Sequence, residues 1–246
     1  MSQIIKGLEV FKDPNFKFNP KYHKYTYGGK KYTSVTTFIK NFKEPFDEDF
    51  WSKKKSDELG IPVDEILKSW REKNESANTL GSSTHLWIEN YFNGIHQKLP
   101  TDLRIIGRIN KFNKIYATHL YKLHPVAFEL RIFSKIYPIA GTMDSLFLYN
   151  DKLIIIDYKT NGDFKHDGHP KGTFSKLLHP FSEFWENHHN EYSIQISLYS
   201  LILKEWGFHV SAGYLLHLGE EDEAKIWKCH NFVPQLEEYL QNYNWN

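Results

Sequence analysis

The segment KLIIIDYKT at residues 152–160 constrains the fold strongly, because four consecutive apolar residues run directly into charged ones. The residues from Leu153 to Ile156 are apolar on both faces of an extended strand, which predicts a strand covered on both sides. Asp157 and Lys159 project from one face, because side chains alternate along a strand. Burying such charges is costly unless they are paired or bind an ion. The end of this strand is therefore a candidate functional site.

The preceding strand supplies a second carboxylate. Predicted strands at 140–149 and 152–160 are separated only by Asn150 and Asp151, which favours a two-residue hairpin turn. Such a turn would place Asp144 directly across from Asp157, where like charges are destabilising unless they share a proton or a cation. The two acids and the nearby lysine thus predict a divalent-metal site. The alternative interpretation is a surface hairpin with an ordinary Asp–Lys ion pair.

The order of patterns along the 246 residues predicts one domain of the α/β class. A hairpin signal lies around Gly28 and Gly29, helical patterns follow, and strands and helices then alternate. We expect a central mixed β-sheet flanked by helices. The predicted parts are an N-terminal β-hairpin region (1–44), a helical segment forming an arch or wall (45–122) and an α/β core (123–246).

Individual elements follow from periodicity, caps and turn residues. The stretch 161–190 is rich in Gly, Pro and His and predicts a loop that contacts DNA or acts as a lid, or in which His166, Asp167 and His169 form a small separate metal site. The remaining predictions are helices at 47–60, 63–94 (one broken helix or two consecutive helices), 100–120, 191–207 and 234–244, and strands at 125–134, 140–149, 152–160 and 209–218.

Composition excludes several classes of site. The only cysteine is Cys229, so a disulfide framework and a four-cysteine iron–sulfur cluster are excluded. A formal net charge of +1 means that a nucleic-acid partner would need a local cationic groove. The N-terminus lacks a signal-peptide pattern, and no stretch approaches the ~20 apolar residues of a membrane span. We therefore expect an intracellular, cytoplasmic protein that does not contact a membrane.

The strand-end residues resemble the split signature of the PD-(D/E)XK nuclease superfamily. In "GTMD" and "IIDYKT", Asp144 and Asp157 match the two acids, and Lys159 matches the lysine. The pattern alone is weak, but further motifs occur in the order found in the RecB-like exonuclease branch. The resemblance extends over about residues 22–205 and implies a restriction-endonuclease-like core.

Two helix motifs and one acid make the resemblance more specific. "GSSTHLWIE" is similar to the Gly-x-x-x-His-x-x-x-Glu motif, whose histidine binds metal, and this implies that His85 is a ligand. Gln195 and Tyr199 match the Gln-x-x-x-Tyr motif of the catalytic region. Glu129 corresponds to a glutamate that lies near the site in relatives. For His85 and Glu129 the alternatives are an ordinary helix histidine and an exposed strand acid.

The N-terminal hairpin adds a further match. "HKYTYGGKKYTSVTTFIK" resembles the start of viral and phage nucleases related to the mitochondrial genome maintenance exonucleases, although Thr33 replaces the usual proline. The resemblance implies that Ser34, Thr36 and Thr37 bind nucleic acid through hydroxyl and backbone N–H groups. Ordinary hairpin composition explains the same residues without such a role.

Together these matches imply a Mg²⁺- or Mn²⁺-dependent DNA exonuclease, in which His85, Asp144, Asp157 and the carbonyl of Tyr158 hold the metal. Lys159 would act on the attacking water or on developing charge. The expected substrate is DNA that is single-stranded or has free ends, in replication, recombination or repair. No phosphate-binding loop of the Gly-x-x-x-x-Gly-Lys type is present, so no ATP requirement is expected. The alternatives are a structure-specific or restriction-type endonuclease and a catalytically silent nucleic-acid-binding module. Strand polarity and oligomeric state stay open.

Overall fold

The hairpin that carries the two aspartates forms as predicted. The computed structural model describes residues 2–162, 164, 175–220 and 223–245. Strands β5 (Ile139–Tyr149) and β6 (Lys152–Lys159) pair antiparallel. The turn residues Asn150 and Asp151 have positive φ angles of 47° and 59°, as a two-residue hairpin of the favoured hand requires. The register pairs Ser145 with Ile156, so the predicted alignment of the strands is confirmed.

The chain is an α/β protein with a central mixed sheet flanked by helices, which confirms the predicted fold class. Its other strands are β1 (Phe16–Asn19), β2 (Lys24–Tyr27), β3 (Lys30–Ser34), β4 (His124–Phe133), β7 (Val210–His217) and β8 (Lys225–Lys228). The sheet has the order β1-β2-β3-β5-β6-β7-β8, and β4 pairs with β5. The pairs β3–β5 and β6–β7 are parallel, and the other pairs are antiparallel.

Strand β6 is covered on both faces, as its apolar run predicts. Leu153 and Ile155 belong to the larger hydrophobic cluster, which includes residues of α6 (His188–Glu205) and α7 (Val233–Asn242). Ile154 and Ile156 belong to a second cluster with residues of α4 (Val63–Phe92) and α5 (Leu103–Ile115). The alternation of strand side chains therefore divides the core into two layers on opposite faces of the sheet.

The helical segment differs from its prediction at one point. Helix α3 (Glu48–Leu59) begins after the N-cap Asp47 and ends at Gly60 in the left-handed conformation, as expected. Residues 63–94 were predicted to form one broken helix or two, but α4 is a single helix of 30 residues. Gly81 lies inside it without breaking it. Helix α5 is followed by a short π-helical turn at 116–120.

Several short elements escaped the sequence patterns, namely α1 (Ser2–Gly7), β1, α2 (Val35–Phe38) and β8. Helix α6 begins at His188, three residues before its prediction, because Asn187 caps it by accepting a hydrogen bond from the Asn190 N–H. The separate metal site considered for His166, Asp167 and His169 lies outside the described residues. Within the described part of the chain, no helix has the length and apolarity needed to cross a bilayer.

Candidate metal centre

Three neighbouring strands bring three carboxylates together at one end of the sheet. Ser145 pairs with Ile156, so the preceding residue Asp144 lies beside Asp157. On the other side of β5, the pairing with β4 places Glu129 beside Asp144. Glu129 has a φ angle of 45°, an unusual backbone conformation for a non-glycine strand residue. Acids adjacent on three strands repel one another unless a cation lies nearby.

Helix α4 adds a histidine to this end of the sheet. The Nδ1 atom of His85 lies 3.5 Å from an Asp144 carboxylate oxygen and 3.8 Å from a Glu129 oxygen. On the other side of the ring, Nε2 lies 2.9 Å from the Tyr158 carbonyl oxygen. His85, Glu129 and Asp144 each offer a donor atom within 4.8 Å of the others. The predicted proximity of His85 and Glu129 to Asp144 is thus observed.

The donor spacing fits one small divalent ion. With metal–oxygen bonds of ~2.1 Å in octahedral geometry, adjacent ligand atoms are ~3.0 Å apart and opposite ones ~4.2 Å. The separations of 3.5 Å and 3.8 Å lie between these limits. Two carboxylates and one imidazole suit Mn²⁺ and Mg²⁺, with Mn²⁺ tolerating the nitrogen ligand better. The residues present therefore fit the metal that the sequence predicts.

The electrostatics of this group favour positive charge at its centre. Burial opposes protonation of His85, but the Asp144 charge and hydrogen bonds to Asp144 and Glu129 outweigh it, and they raise the His85 pKa to about 10. For Asp144, burial acts to raise the pKa, yet the His85 charge and hydrogen bond bring the pKa below its usual value. The backbone N–H of Tyr158 also donates to Asp144 at 2.8 Å. The pocket thus stabilises a cation beside Asp144.

Asp157 lies outside the three-residue donor group and instead contacts Lys159. One carboxylate oxygen is 2.6 Å from the Lys159 ammonium, and Asp157 is only 1% exposed. Burial first, and the Asp144 charge second, raise the Asp157 pKa to about 6 despite the lysine. For Lys159, burial opposes the charge, but Asp157 outweighs it and the pKa is raised. The role of Asp157 as a metal ligand stays a prediction.

Helix α6 contacts the Asp157–Lys159 pair from the face of the sheet that lies opposite α4. Gln195 donates to the other Asp157 oxygen at 3.3 Å and to the Tyr199 hydroxyl at 3.1 Å, and its carbonyl oxygen lies 3.4 Å from the Lys159 ammonium. The Tyr199 hydroxyl donates to the Thr142 carbonyl at 2.9 Å. Gln195 and Tyr199, the two residues of the predicted helix motif, therefore connect Asp157 of β6 to Thr142 of β5.

Tyr192 is a site residue that the sequence patterns missed. The Lys159 ammonium lies 4.0 Å from the centre of its ring, a cation–π contact. Tyr192 also lines the cleft that contains His85. It lies three residues before Gln195, on the same face of α6. The three-residue spacing between Tyr192 and Gln195 was the sequence signal that could have identified this residue. A tyrosine at such a position is, however, more often an ordinary packing residue.

Two cavities meet at the candidate metal-binding residues. The larger has a volume of about 540 Å³ and includes residues of α4, the end of β6 and α6. The smaller has a volume of about 210 Å³ and is formed by the N-terminal hairpin, β5 and α6. His85 and Glu129 line both, and Glu89 lines only the larger. The candidate metal position is thus reached from two sides.

The hairpin hydroxyl groups have a structural role. Ser34 caps α2 by accepting a hydrogen bond from the Thr37 N–H at 3.0 Å, and it donates to the Thr37 hydroxyl at 2.7 Å. Ser34 and Thr36 line the smaller cavity, whereas Thr37 is not among its lining residues. Their role in nucleic-acid binding stays a prediction.

Comparisons with known proteins add no family assignment. No family model matches the chain, and no curated protein matches it. Among solved structures, the crystal structure of SSO0001 aligns with 13% identity and a TM-score of 0.30, covering 99% of this chain and 87% of that one. A similarity this low carries no argument about function.

Proposed function

We propose that the protein is a metal-dependent DNA exonuclease that hydrolyses phosphodiester bonds. The observation that carries this proposal is the adjacency of a His–Glu–Asp donor group to the buried Asp157–Lys159 pair at one end of the sheet. The proposed setting is DNA replication, recombination or repair in the cytoplasm. That setting, the preference for single-stranded DNA or free ends, and the absence of an ATP requirement rest on the sequence resemblance.

His85, Glu129 and Asp144 would hold the metal, whereas the Tyr158 carbonyl lies on the other side of the His85 ring, 2.9 Å from Nε2. When bound, Mg²⁺ or Mn²⁺ supplies Lewis-acid polarisation of a phosphoryl oxygen and lowers the pKa of a coordinated water. The Tyr158 N–H fixes the Asp144 carboxylate by a 2.8 Å hydrogen bond. A ligand fixed in this way needs no reorganisation when the ion binds.

Lys159 would act on the substrate as a positioned cation. Its ammonium is held by Asp157 at 2.6 Å and by the Tyr192 ring at 4.0 Å, and it lines the larger cavity. An ammonium there can bond a phosphate oxygen and stabilise the negative charge that develops during hydrolysis. Gln195 fixes the orientation of Asp157 and so of the lysine.

The test compares two lysines of the same strand. Lys159→Met removes the proposed catalytic charge, whereas Lys152→Met changes an exposed lysine at the opposite end of β6. End-labelled linear single-stranded DNA and closed circular single-stranded DNA are incubated with Mg²⁺, Mn²⁺ or EDTA. We expect metal-dependent degradation of the linear DNA by the wild type and by Lys152→Met. We expect a loss of at least ~100-fold in Lys159→Met.

Each other outcome changes the proposal in a defined way. Cutting of the circle would replace the exonuclease by an endonuclease with the same site. Equal activity of Lys159→Met and Lys152→Met would remove the lysine from the mechanism. If no nucleic acid is cut with any metal while DNA still binds, the catalytic proposal fails and a silent binding module replaces it.

A further inference from the structure

Two exposed and two half-buried aromatic side chains lie together outside the hydrophobic core. Phe46 and Phe50 are 67% and 55% exposed, and Trp51 and Trp70 lie beside them on α3 and α4. Within the described residues, none of the four rings belongs to a hydrophobic cluster of the core. Rings left in water forgo the stabilisation that burial provides, so a cluster of them indicates a contact surface.

Three of these rings, two lysines and one glutamate enclose a pocket of about 280 Å³. Phe46 and Trp70 have ring centres 5.9 Å apart with planes inclined by 60°. The Lys54 ammonium lies 5.0 Å from the centre of the Trp51 ring. The lining residues are Phe46, Trp51, Lys54, Lys55, Glu58 and Trp70. We define this group as the aromatic–lysine pocket.

Two lysines and one glutamate line the pocket, so its lining carries a net charge of +1. Lys55 forms an ion pair with Glu58 at 3.0 Å. Lys54 has no carboxylate partner among the described residues, and Lys53 precedes it in the exposed triple-lysine run. Aromatic rings flanked by lysines are the combination that single-stranded nucleic acids require, because bases stack on the rings while phosphates contact the cations.

One residue of the pocket and one donor of the candidate metal centre lie on the same helix. Trp70 and His85 are 15 positions apart on α4, which corresponds to ~22 Å along the axis and a rotation of only ~60°. A stacked strand with one phosphate per ~3.4 Å would span this distance with roughly six to seven nucleotides. One strand can therefore reach both positions along one side of α4.

We propose that the aromatic–lysine pocket binds an unpaired base of a single-stranded nucleic acid whose other part enters the larger cavity. This inference rests on the proposed nuclease function, since it names where the strand is held outside the cleft. The rings stack on the base, and Lys54 contacts the adjacent phosphate. A duplex cannot use the pocket in this way, because its bases are already stacked.

The test measures binding in EDTA, so that cleavage does not interfere. Fluorescence anisotropy gives the Kd of a labelled 20-nucleotide oligothymidylate and of an abasic 20-mer of equal charge, at low and fixed salt. The variants are Phe46→Ala and Lys54→Ala. Tyr121→Ala is the matched control, because Tyr121 is 58% exposed and has a lysine ammonium 5.5 Å from its ring centre, but it lies outside the pocket.

We expect the wild type and Tyr121→Ala to bind the oligothymidylate at least about 5-fold more tightly than the abasic strand, and Phe46→Ala to lose most of this difference. Lys54→Ala should weaken both strands alike. The proposal that the pocket binds a base is overturned if the wild type binds the two strands equally. It is also overturned if the ratio of the two Kd values is the same in Phe46→Ala as in the wild type. In either case a protein partner is left as the occupant. If binding depends on Phe46 but no DNA is cleaved, only the proposed exonuclease activity is refuted. If DNA is cleaved but binding does not depend on Phe46, only the base-binding role of the aromatic–lysine pocket is refuted.

Discussion

Lys159 is held by a carboxylate, an amide and an aromatic ring, and the ring contact allows a sharp test. Replacing Tyr192 by Leu removes the cation–π contact at 4.0 Å, while Tyr192→Phe keeps the ring and removes only the hydroxyl. A desolvated cation–π contact contributes ~2 kcal/mol, which corresponds to a rate factor of ~30. We expect kcat on single-stranded DNA to fall about 10- to 30-fold in Tyr192→Leu and little in Tyr192→Phe, with KM nearly unchanged. Equal losses in both variants would assign the effect to the hydroxyl.

The thiol of Cys229 gives a prediction that does not depend on the proposed activity. Burial, and then the Asp157 charge, raise the pKa of Cys229 to about 12. Only the thiolate reacts with disulfide reagents, so the raised pKa lowers the thiolate fraction at pH 8. We expect Ellman's reagent to react with the native protein at pH 8 far more slowly than with the protein in urea. Similar reaction rates of the native and the urea-unfolded protein would refute the raised pKa of the Cys229 thiol.

Sequence patterns predict the site residues unequally. Asp144, Asp157 and Lys159 follow from the apolar run and the hairpin turn, because a two-residue turn fixes the register. Histidine and glutamine motifs place His85 and Gln195 on helices, but only tertiary packing decides that these helices cover opposite faces at the same end of the sheet. Tyr192 was missed for this reason.

Two helical glycines differ in what a methyl group would meet, which makes them a matched pair. At Gly107 in α5, an added Cβ has no neighbour within 4 Å, whereas at Gly81 in α4 it would lie 3.1 Å from the Thr160 hydroxyl. Alanine exceeds glycine in helix propensity by ~1 kcal/mol. We expect Gly107→Ala to raise the free energy of unfolding by ~0.5–1 kcal/mol.

Gly81→Ala should gain less stability, because Thr160 must move. Thr160 directly follows Lys159, and its carbonyl accepts a hydrogen bond from Arg108 at 3.1 Å. Displacing this residue would shift the lysine, and a misplacement of ~1 Å can cost up to ~100-fold in rate. Urea denaturation and cleavage rates of both variants check this. Activity in Gly81→Ala equal to that in Gly107→Ala would show that α4 does not set the position of Lys159.

The elements with strong local signals were predicted well, and the weakly patterned ones were not. Helices α3 and α5 have acidic N-caps, and α3 also ends at a left-handed glycine, so local chemistry defines their ends. The edge strands β1 and β8 contain only four residues each. Each pairs with the strand next to it in the sequence, β1 with β2 and β8 with β7. Four residues are too short an alternation to identify either strand without its neighbour.

At the scale of the whole molecule, the metal would link helix α4 to two strands of the sheet. His85 belongs to α4, Glu129 to β4 and Asp144 to β5. An ion bound to all three joins segments that are separated in sequence and binds the native state alone. Mass action then stabilises the fold by ~2.7 kcal/mol at a free metal concentration 100-fold above the Kd. In a chain of this size that corresponds to a rise in Tm of about 5–10 °C.

We therefore expect Mn²⁺ to raise the Tm of the wild-type protein relative to EDTA, as followed by differential scanning calorimetry, and Mg²⁺ to raise it less at equal concentration. The rise should disappear in His85→Ala and in Asp144→Asn. It should persist in His96→Ala, because His96 is an exposed histidine just beyond α4 and outside the donor group. His85→Ala also alters the apo protein, so the quantity compared is the metal-induced change within each variant. An equal metal-induced shift in His85→Ala and His96→Ala would place the metal elsewhere and remove the observation on which the proposed function depends.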